Sequence, residues 1–463
     1  MNDTGHLSSP RHSDKALQLI GLLSLAALVG CFSPDLKTGL IPPKERFSEI
    51  LKSVAEMRGL TPKREFEIVS LPPDKTSFAP IPNDETIGAL PLSELEQAYK
   101  QLGLLNASDD FKTALEKMSR LERLITYDSA KDRLQIAADA ASLAAQLPAP
   151  YSRAATELPV TMGIVQALQE QHFQWREKIT RTVIEDVRLA YRAIAGGDAL
   201  LSALAYASDG NLAAPGQHAA ARQESLQLDK LAGDLPPFLR NQLILPFREG
   251  SDFVAWAIKA KGPAGLNALY AKPPDTTAQI LQPVRYYLTA QTPQRFSPAG
   301  LLRHMERPAL FEQSLGEYLL RGLLETGNSL AASSQIAAGW RGDQLFSFAD
   351  SGFQSTAWYS AWGSAAEAAA FERAFQTVAE KRQRLRLHRG AGADDEMLSA
   401  NTRDRGSFAL ARKVNIVLYL VTRTARLADS AEAAWKDLTV EAEPEVLRFD
   451  FARGPGQLSL SKR

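Results

Sequence analysis

Histidine, cysteine and serine carry much of the catalytic chemistry of proteins. In this chain few of these residues have the spacing that a catalytic motif requires. Beyond residue 31 the histidines are His172, His218, His304 and His388. No two of them lie three or four residues apart, so no single helix can direct two imidazoles at one metal ion. Only a cluster of distant residues could still form a metal site. Neither the Gly-x-Ser-x-Gly turn of serine hydrolases nor a phosphate-binding P-loop occurs.

The one cysteine, Cys31, follows an apolar run over residues 16–30. This run is shorter than the roughly 20 residues that a membrane-spanning helix needs, and it is typical of the core of an export signal. The segment Leu28-Val29-Gly30-Cys31 resembles a bacterial lipobox, in which cleavage precedes a cysteine whose thiol has accepted a diacylglycerol. The resemblance predicts a signal peptide over residues 1–30 and lipidation at Cys31.

Residues 31–43 are then expected to form a short tether between the lipid and the folded domain. Each buried CH₂ of an acyl chain contributes about 0.8 kcal/mol, so two or three chains would anchor the protein stably. The residue after the cysteine is Phe32 and not aspartate, the usual inner-membrane retention signal. We therefore expect a lipid-anchored protein of the cell envelope. In a Gram-negative cell it would lie in the outer membrane and face the periplasm.

The composition is that of a globular protein, with 45% hydrophobic and 23% charged residues. The 53 Lys and Arg balance the 53 Asp and Glu, and no basic stripe occurs, which argues against a nucleic-acid partner. Helical periodicity dominates, with strand candidates at 344–348, 355–361 and 415–421. These patterns predict an α+β fold, mostly α-helical, with a small antiparallel sheet. We expect one domain over residues 44–453 and a flexible tail over 454–463.

Four local signals are specific enough to be tested against a structure. Residues 44–58 have helical periodicity and end at Gly59, a plausible left-handed cap. Residues 125–136 have the pattern of a hairpin. A long helical tract is predicted from Pro159 to a stop at Gly196-Gly197. Residues 388–407, rich in glycine, aspartate and arginine, are predicted to form a surface loop.

The most informative stretch is Met162-Gly163-Ile164-Val165-Gln166-Ala167-Leu168-Gln169-Glu170-Gln171-His172-Phe173. It resembles the active-site helix of a family of secreted bacterial and archaeal proteins classed as zincin-like metallopeptidases, in which it reads roughly HElxHALQDQhF. In an HExxH motif two histidines bind zinc from one helix face, and the glutamate between them polarises the metal-bound water.

Other segments resemble the same family and keep its order from about residue 45 to 435. They are residues 57–60, the hairpin region 127–134, residues 235–254, the segment 273–283, Gly316-Glu317, residues 337–343, and the pair Trp358 and Trp362. A zincin-like fold is what this resemblance implies.

The family pattern places Met162 and Gln166 at the two histidine positions and Gly163 at the glutamate position. Tyr206 stands where the family often has an acidic third ligand. The resemblance therefore implies a degenerate site with no metal, no cofactor and no catalytic residues, in which Met162, Gly163 and Gln166 face the former cleft. We expect a pseudoenzyme that binds a protein or peptide partner or acts as a scaffold. The alternatives are an envelope hydrolase that uses other residues, and a helical envelope protein unrelated to the family.

Overall fold

The secondary structure is described by a computed structural model that covers residues 41–71, 86–87, 90–138, 140, 157–208, 211–212, 232–289, 291–350, 352–389, 397–423 and 426–441. Cys31, the expected signal peptide, most of the expected tether and the expected tail lie outside these residues. No helix within the described ranges is long and apolar enough to cross a membrane.

Most of the helices lie before residue 306. In chain order they are α1 (Lys44–Arg58), α2 (Leu92–Leu102), α3 (Phe111–Glu122), α4 (Leu158–Phe173), α5 (Trp175–Arg181), α6 (Glu185–Ser208), α7 (Pro237–Ile244), α8 (Glu249–Ala271), α9 (Thr277–Leu281), α10 (Pro283–Tyr287), α11 (Ala299–Met305), α12 (Gly316–Glu325), α13 (Leu330–Ala337), α14 (Ala365–Arg382) and α15 (Leu427–Trp435).

Strands dominate the last third. They are β1 (Glu67–Leu71), β2 (Thr86–Ile87), β3 (Leu90–Pro91), β4 (Ile125–Asp128), β5 (Arg133–Ala137), β6 (Arg295–Pro298), β7 (Phe311–Gln313), β8 (Trp340–Asp350), β9 (Phe353–Trp362), β10 (His388–Arg389), β11 (Met397–Thr402), β12 (Gly406–Lys413), β13 (Ile416–Thr422) and β14 (Leu438–Glu441).

The main sheet has seven strands in the order β10-β11-β12-β13-β9-β8-β7, and every neighbouring pair is antiparallel. A second sheet has the order β1-β5-β4, in which β1 pairs with β5 in parallel and β4 pairs with β5 as a hairpin. Two further pairs, β14 with β6 and β2 with β3, are antiparallel. The fold is therefore a mixed α/β one with several antiparallel sheets.

The seven-stranded sheet separates two hydrophobic cores because successive side chains of a strand point to opposite faces. On β9, Trp358 and Trp362 belong to the larger core with the helices, whereas Tyr359 and Ala361 belong to the smaller one. The smaller core also contains Leu301 of α11 and residues of α15. Trp340, Trp358 and Trp362 are all buried.

Buried polar groups hold the helical layer together. Arg58, at the end of α1, forms a two-point ion pair with Asp198 of α6, and both side chains are wholly buried. Asp198 also accepts hydrogen bonds from Gln169 of α4 at 2.9 Å and from Tyr270 of α8 at 2.8 Å. One carboxylate thus joins four helices, and α4 is positioned by this network.

The expected helix stop at Gly196-Gly197 is wrong, because α6 continues through both glycines to Ser208. The glycines serve packing instead. A Cβ atom at Gly197 would lie 2.5 Å from the backbone carbon of Gly250, at the point where α6 meets α8. The tract is broken earlier, since Gln174 has a left-handed conformation with φ of 51° between α4 and α5.

The expected sheet is also larger than the sequence indicated. Residues 388–407 were predicted to form a loop, but they contain β10, all of β11 and the first residues of β12. Helix α1 ends at Gly59 with φ of 69°, and the hairpin pairs Ile125 with Ile136, so both of these local predictions are confirmed.

Candidate binding site

Helix α4 forms the floor of the candidate site. Pro159 lies in its first turn, where the missing N–H costs nothing, and apolar residues surround nearly the whole helix. Most of its residues are buried, because α1, α6 and the β4–β5 hairpin pack around it. A helix that is apolar all round is a core helix. Its few polar side chains therefore have specific partners or face a cavity.

A cavity of about 890 Å³ lies beside α4. Its walls come from the end of α3, the β4–β5 hairpin, α5, the first half of α6 and the segment 243–247. The volume lies in the range of ligand sites, which are typically 300–1,000 Å³. Leu124, Ile125, Leu243 and Phe247 supply apolar lining.

Met162 and Gln166, the residues at the two histidine positions of the metallopeptidase pattern, both line this cavity. They lie one helical turn apart, so they share one face of α4. Both residues therefore face a cavity, and its equivalence to a metallopeptidase cleft stays a prediction. Glu170 continues the same face one turn further along and also lines the cavity.

Gly163 does not face the cavity, and this expectation is wrong. A Cβ atom at residue 163 would lie 2.5 Å from Cδ1 of Leu134 and 3.0 Å from Cγ2 of Ile125. Glycine at this position lets the β4–β5 hairpin pack directly against the helix. The position that would carry the catalytic glutamate is therefore filled by core packing.

Tyr206 also lies away from the cavity. Its hydroxyl accepts a hydrogen bond from Arg46 at 3.2 Å and lies 3.4 Å from a carboxylate oxygen of Glu157, at the amino-terminal end of α4. The α6 residues that do face the cavity belong to its first half and are Arg188, Arg192, Ala195 and Gly196. The structure therefore does not bring Tyr206 together with Met162 and Gln166.

A catalytic zinc ion does not fit these residues. Zinc prefers thiolate, imidazole and carboxylate ligands, and neither the thioether of Met162 nor the amide of Gln166 is one of them. Gly163 has no side chain and faces the hairpin. Among the described residues no group of three histidine, cysteine, aspartate or glutamate side chains is placed to hold a metal ion.

The rest of the α4 motif has structural partners. Gln171 accepts the backbone N–H of Lys63 at 2.9 Å and donates to the hydroxyl of Tyr127 at 2.9 Å. The His172 ring nitrogen lies 2.7 Å from the carbonyl oxygen of Thr61. His172 thus hydrogen-bonds to the backbone of the segment that follows α1.

The polar residues that line the cavity differ from the two histidines and the glutamate that an HExxH motif would have supplied. The side-chain oxygen of Gln166 and the indole nitrogen of Trp175 are both buried, with no hydrogen-bond partner among the described residues. Glu170 is 8% exposed and accepts the backbone N–H of Arg176 at 3.1 Å. Burial raises the pKa of the Glu170 carboxyl above its usual range, although the N–H and charge of Arg176 act in the opposite direction.

Most charged side chains at the cavity are already paired. Arg192 forms a salt bridge with Glu122 across the cavity wall. Further pairs join Arg188 to Glu185 at 3.0 Å, Arg181 to Glu177 at 2.6 Å and Arg64 to Asp132 at 2.9 Å. Glu170 differs from these groups because no salt bridge within 4.0 Å joins it to another described residue. Sequence reasoning had placed neither Glu170 nor Trp175 in the site.

A second buried polar cluster lies at the start of α12. Several of the segments that resemble the metallopeptidase family, among them Gly316-Glu317 and residues 337–343, meet there. The Asp343 carboxylate accepts the backbone N–H groups of Leu315 and Gly316 at 2.9 Å and the indole N–H groups of Trp340 and Trp358 at 3.0 and 2.9 Å. Asp343 therefore caps the helix and ties it to β8 and β9.

Residues 306–432 match a family model described as a domain of unknown function (DUF8575). The match spans about a quarter of the chain and includes the seven-stranded sheet, whereas α4 and the cavity lie outside it. No curated protein and no solved structure matches the chain.

Proposed function

We propose that this protein is an envelope lipoprotein whose folded domain binds a polypeptide and does not hydrolyse it. Lipid at Cys31 would anchor the chain, and the cavity beside α4 would receive the partner. The domain would be a degenerate relative of the zincin-like metallopeptidases. The observation that carries the proposal is that Met162 and Gln166 line a cavity of about 890 Å³ at the positions of the metal-binding histidines.

Two physical arguments support binding without hydrolysis. The donor set at 162 and 166 is unsuited to zinc, and the position of the general base is occupied by packing against Leu134. The cavity itself keeps the size and the mixed lining of a ligand site. A cleft that once positioned a substrate for cleavage would still bind an extended segment without its metal.

Metal content and activity separate this proposal from the hydrolase alternative. We expect the purified full chain to contain far less than one zinc per molecule. Cleavage of a peptide library should be absent both with and without a chelator. One zinc per chain together with chelator-sensitive cleavage would instead support an active peptidase.

Site-specific photo-crosslinking in intact envelopes tests the binding role. A benzophenone amino acid at position 166 would lie in the cavity, and one at Val414, which is 73% exposed, provides the control. We expect a cross-linked polypeptide from position 166 and none of the same mass from position 414. Identical products from both positions, or none from position 166, would contradict the cavity as the binding site.

A further inference from the structure

Two polar atoms of residues that line the cavity, the side-chain oxygen of Gln166 and the indole N–H of Trp175, are buried and have no hydrogen-bond partner among the described residues. Buried polar atoms without hydrogen bonds are destabilising, so a ligand that supplies both bonds is favoured once these side chains turn toward it. A peptide group does this, because it carries one N–H and one carbonyl oxygen.

The apolar part of the lining adds a second requirement. Leu124 and Ile125, together with Phe247 on the opposite segment, offer surface that an apolar side chain would cover. Burying such a side chain removes apolar area from water on both partners. A short peptide with one apolar residue would therefore meet both the polar and the apolar lining.

Glu170 supplies the third feature. It lies one turn after Gln166 on the same face of α4, and only the backbone N–H of Arg176 hydrogen-bonds its carboxyl group among the described residues. The guanidinium group of Arg176 lies over the Trp175 ring, with Cζ 5.0 Å from the ring centroid. The charges of Arg176 and Arg64 also act on the Glu170 carboxyl group, whereas Glu122 and Glu177 in the same lining form direct salt bridges with arginine.

We infer that the cavity recognises a peptide through a protonated primary amine bound by Glu170, with an apolar side chain beside it. Charge-assisted hydrogen bonds between an ammonium group and a carboxylate are stronger than neutral ones. The amine can be the amino terminus of the partner or a lysine side chain, since both present the same group. This inference rests on the proposed function and specifies the ligand of that site.

The experiment measures the affinity of the full chain, in detergent, for matched peptide sets. One set is Xaa-Ala-Ala-Ala amides with a free amino terminus, and its counterpart is N-acetylated. A third set is acetyl-Xaa-Lys-Ala-Ala amides, matched by peptides with norleucine in place of lysine. The first comparison tests the terminal amine, and the second tests the lysine side chain.

We expect amine-bearing peptides with an apolar Xaa to bind at least about 10-fold more tightly than their neutral counterparts. The substitution Glu170→Gln keeps an acceptor for the Arg176 N–H but removes the charge, and it should abolish this preference. The matched control is Glu372→Gln, which removes a carboxylate paired with Arg412 outside the cavity and should leave the preference intact.

The outcomes separate the inference from the proposed function. Peptides that bind with equal affinity whether or not they carry an amine would overturn the inference and leave peptide binding intact. A preference for amines that survives Glu170→Gln would also overturn it. Failure of every peptide to bind, with no cross-link from position 166, would contradict the proposed function itself.

Discussion

The Arg58 guanidinium and the Asp198 carboxylate meet in two parallel hydrogen bonds, Nε to Oδ1 at 2.9 Å and Nη2 to Oδ2 at 3.0 Å, with neither side chain exposed to solvent. Gln169 donates to the same carboxylate from the helix that forms the cavity floor. The position of α4 beneath the cavity therefore depends on this ion pair.

Replacing Arg58 with alanine should destabilise the fold by about 3–5 kcal/mol, because Asp198 would stay buried without its cation. Denaturant unfolding of the full chain measures this loss. Arg181→Ala is the control, since its pair with Glu177 is 79% and 51% exposed and should contribute less than about 1 kcal/mol. Equal effects of the two substitutions would show that the buried pair does not stabilise this fold.

Introducing at residue 163 the glutamate that the proposed metallopeptidase resemblance would place there should fail for steric reasons. Gly163→Glu would place a carboxylate against Leu134 and Ile125, and we expect a loss of at least about 3 kcal/mol. Gln166→His restores another residue of the same motif but faces the cavity, so its effect should stay within about 1 kcal/mol. Thermal unfolding compares the two variants. A stable Gly163→Glu protein would mean that the hairpin does not pack as described.

Glu317 should make the folded state less stable as the pH rises. Burial raises the pKa of its carboxyl group from 4.5 to about 7, despite the opposing effect of Arg285. Between pH 4.5 and pH 7 the Glu317 carboxyl group has lost its proton in the unfolded chain but keeps it in the folded one. The free energy of unfolding therefore falls by up to about 3 kcal/mol between its value below pH 4.5 and its value at pH 7.

The matched variant for this prediction is Glu317→Gln, which can still accept the hydrogen bond from Gln282. We expect it to be as stable as the parent near pH 4 and more stable above pH 7. The measurement is the difference in unfolding free energy across that range. A constant difference would show that Glu317 does not titrate in this window.

The proposed lipid anchor predicts that a Cys31→Ser variant is no longer held at the membrane. The thiol is the acceptor of the diacylglycerol in a lipobox, and a hydroxyl is a far weaker nucleophile. We expect the variant to fractionate with soluble proteins or to accumulate as precursor. Cell fractionation with mass spectrometry of the mature amino terminus provides the measurement. An unmodified Cys31 in the mature protein would contradict the anchor.

Local signals in the sequence predicted local structure well. The periodicity that predicts helix α1 and the pattern that predicts the β4–β5 hairpin each lie within one short segment of the chain. Both predictions are confirmed. The roles of Gly196 and Gly197 depended instead on what packs against them. In isolation a glycine pair indicates a helix end, whereas contact with Gly250 makes it a crossing point inside a helix.

The site was predictable only in part for a similar reason. The one-turn spacing of Met162 and Gln166 places them on one face, and that face does meet the cavity. Which side of α4 the hairpin would cover could not be deduced from the helix alone, so Gly163 was misassigned. The hydrogen bond from the Arg176 N–H to Glu170 accompanies the left-handed conformation of Gln174, which the helical pattern does not indicate.

Helix α4 also suggests how such a protein can change its partner over evolutionary time. Gln169 and Gln171 are committed to Asp198 and Tyr127, so substitutions there would disturb the fold before they altered binding. Gln166 makes no such bond through its buried side-chain oxygen and contacts the cavity instead. Mutations at residue 166 should therefore alter the ligand preference of the proposed binding site while stability is maintained elsewhere, which makes this position the natural starting point for selecting variants with new ligands.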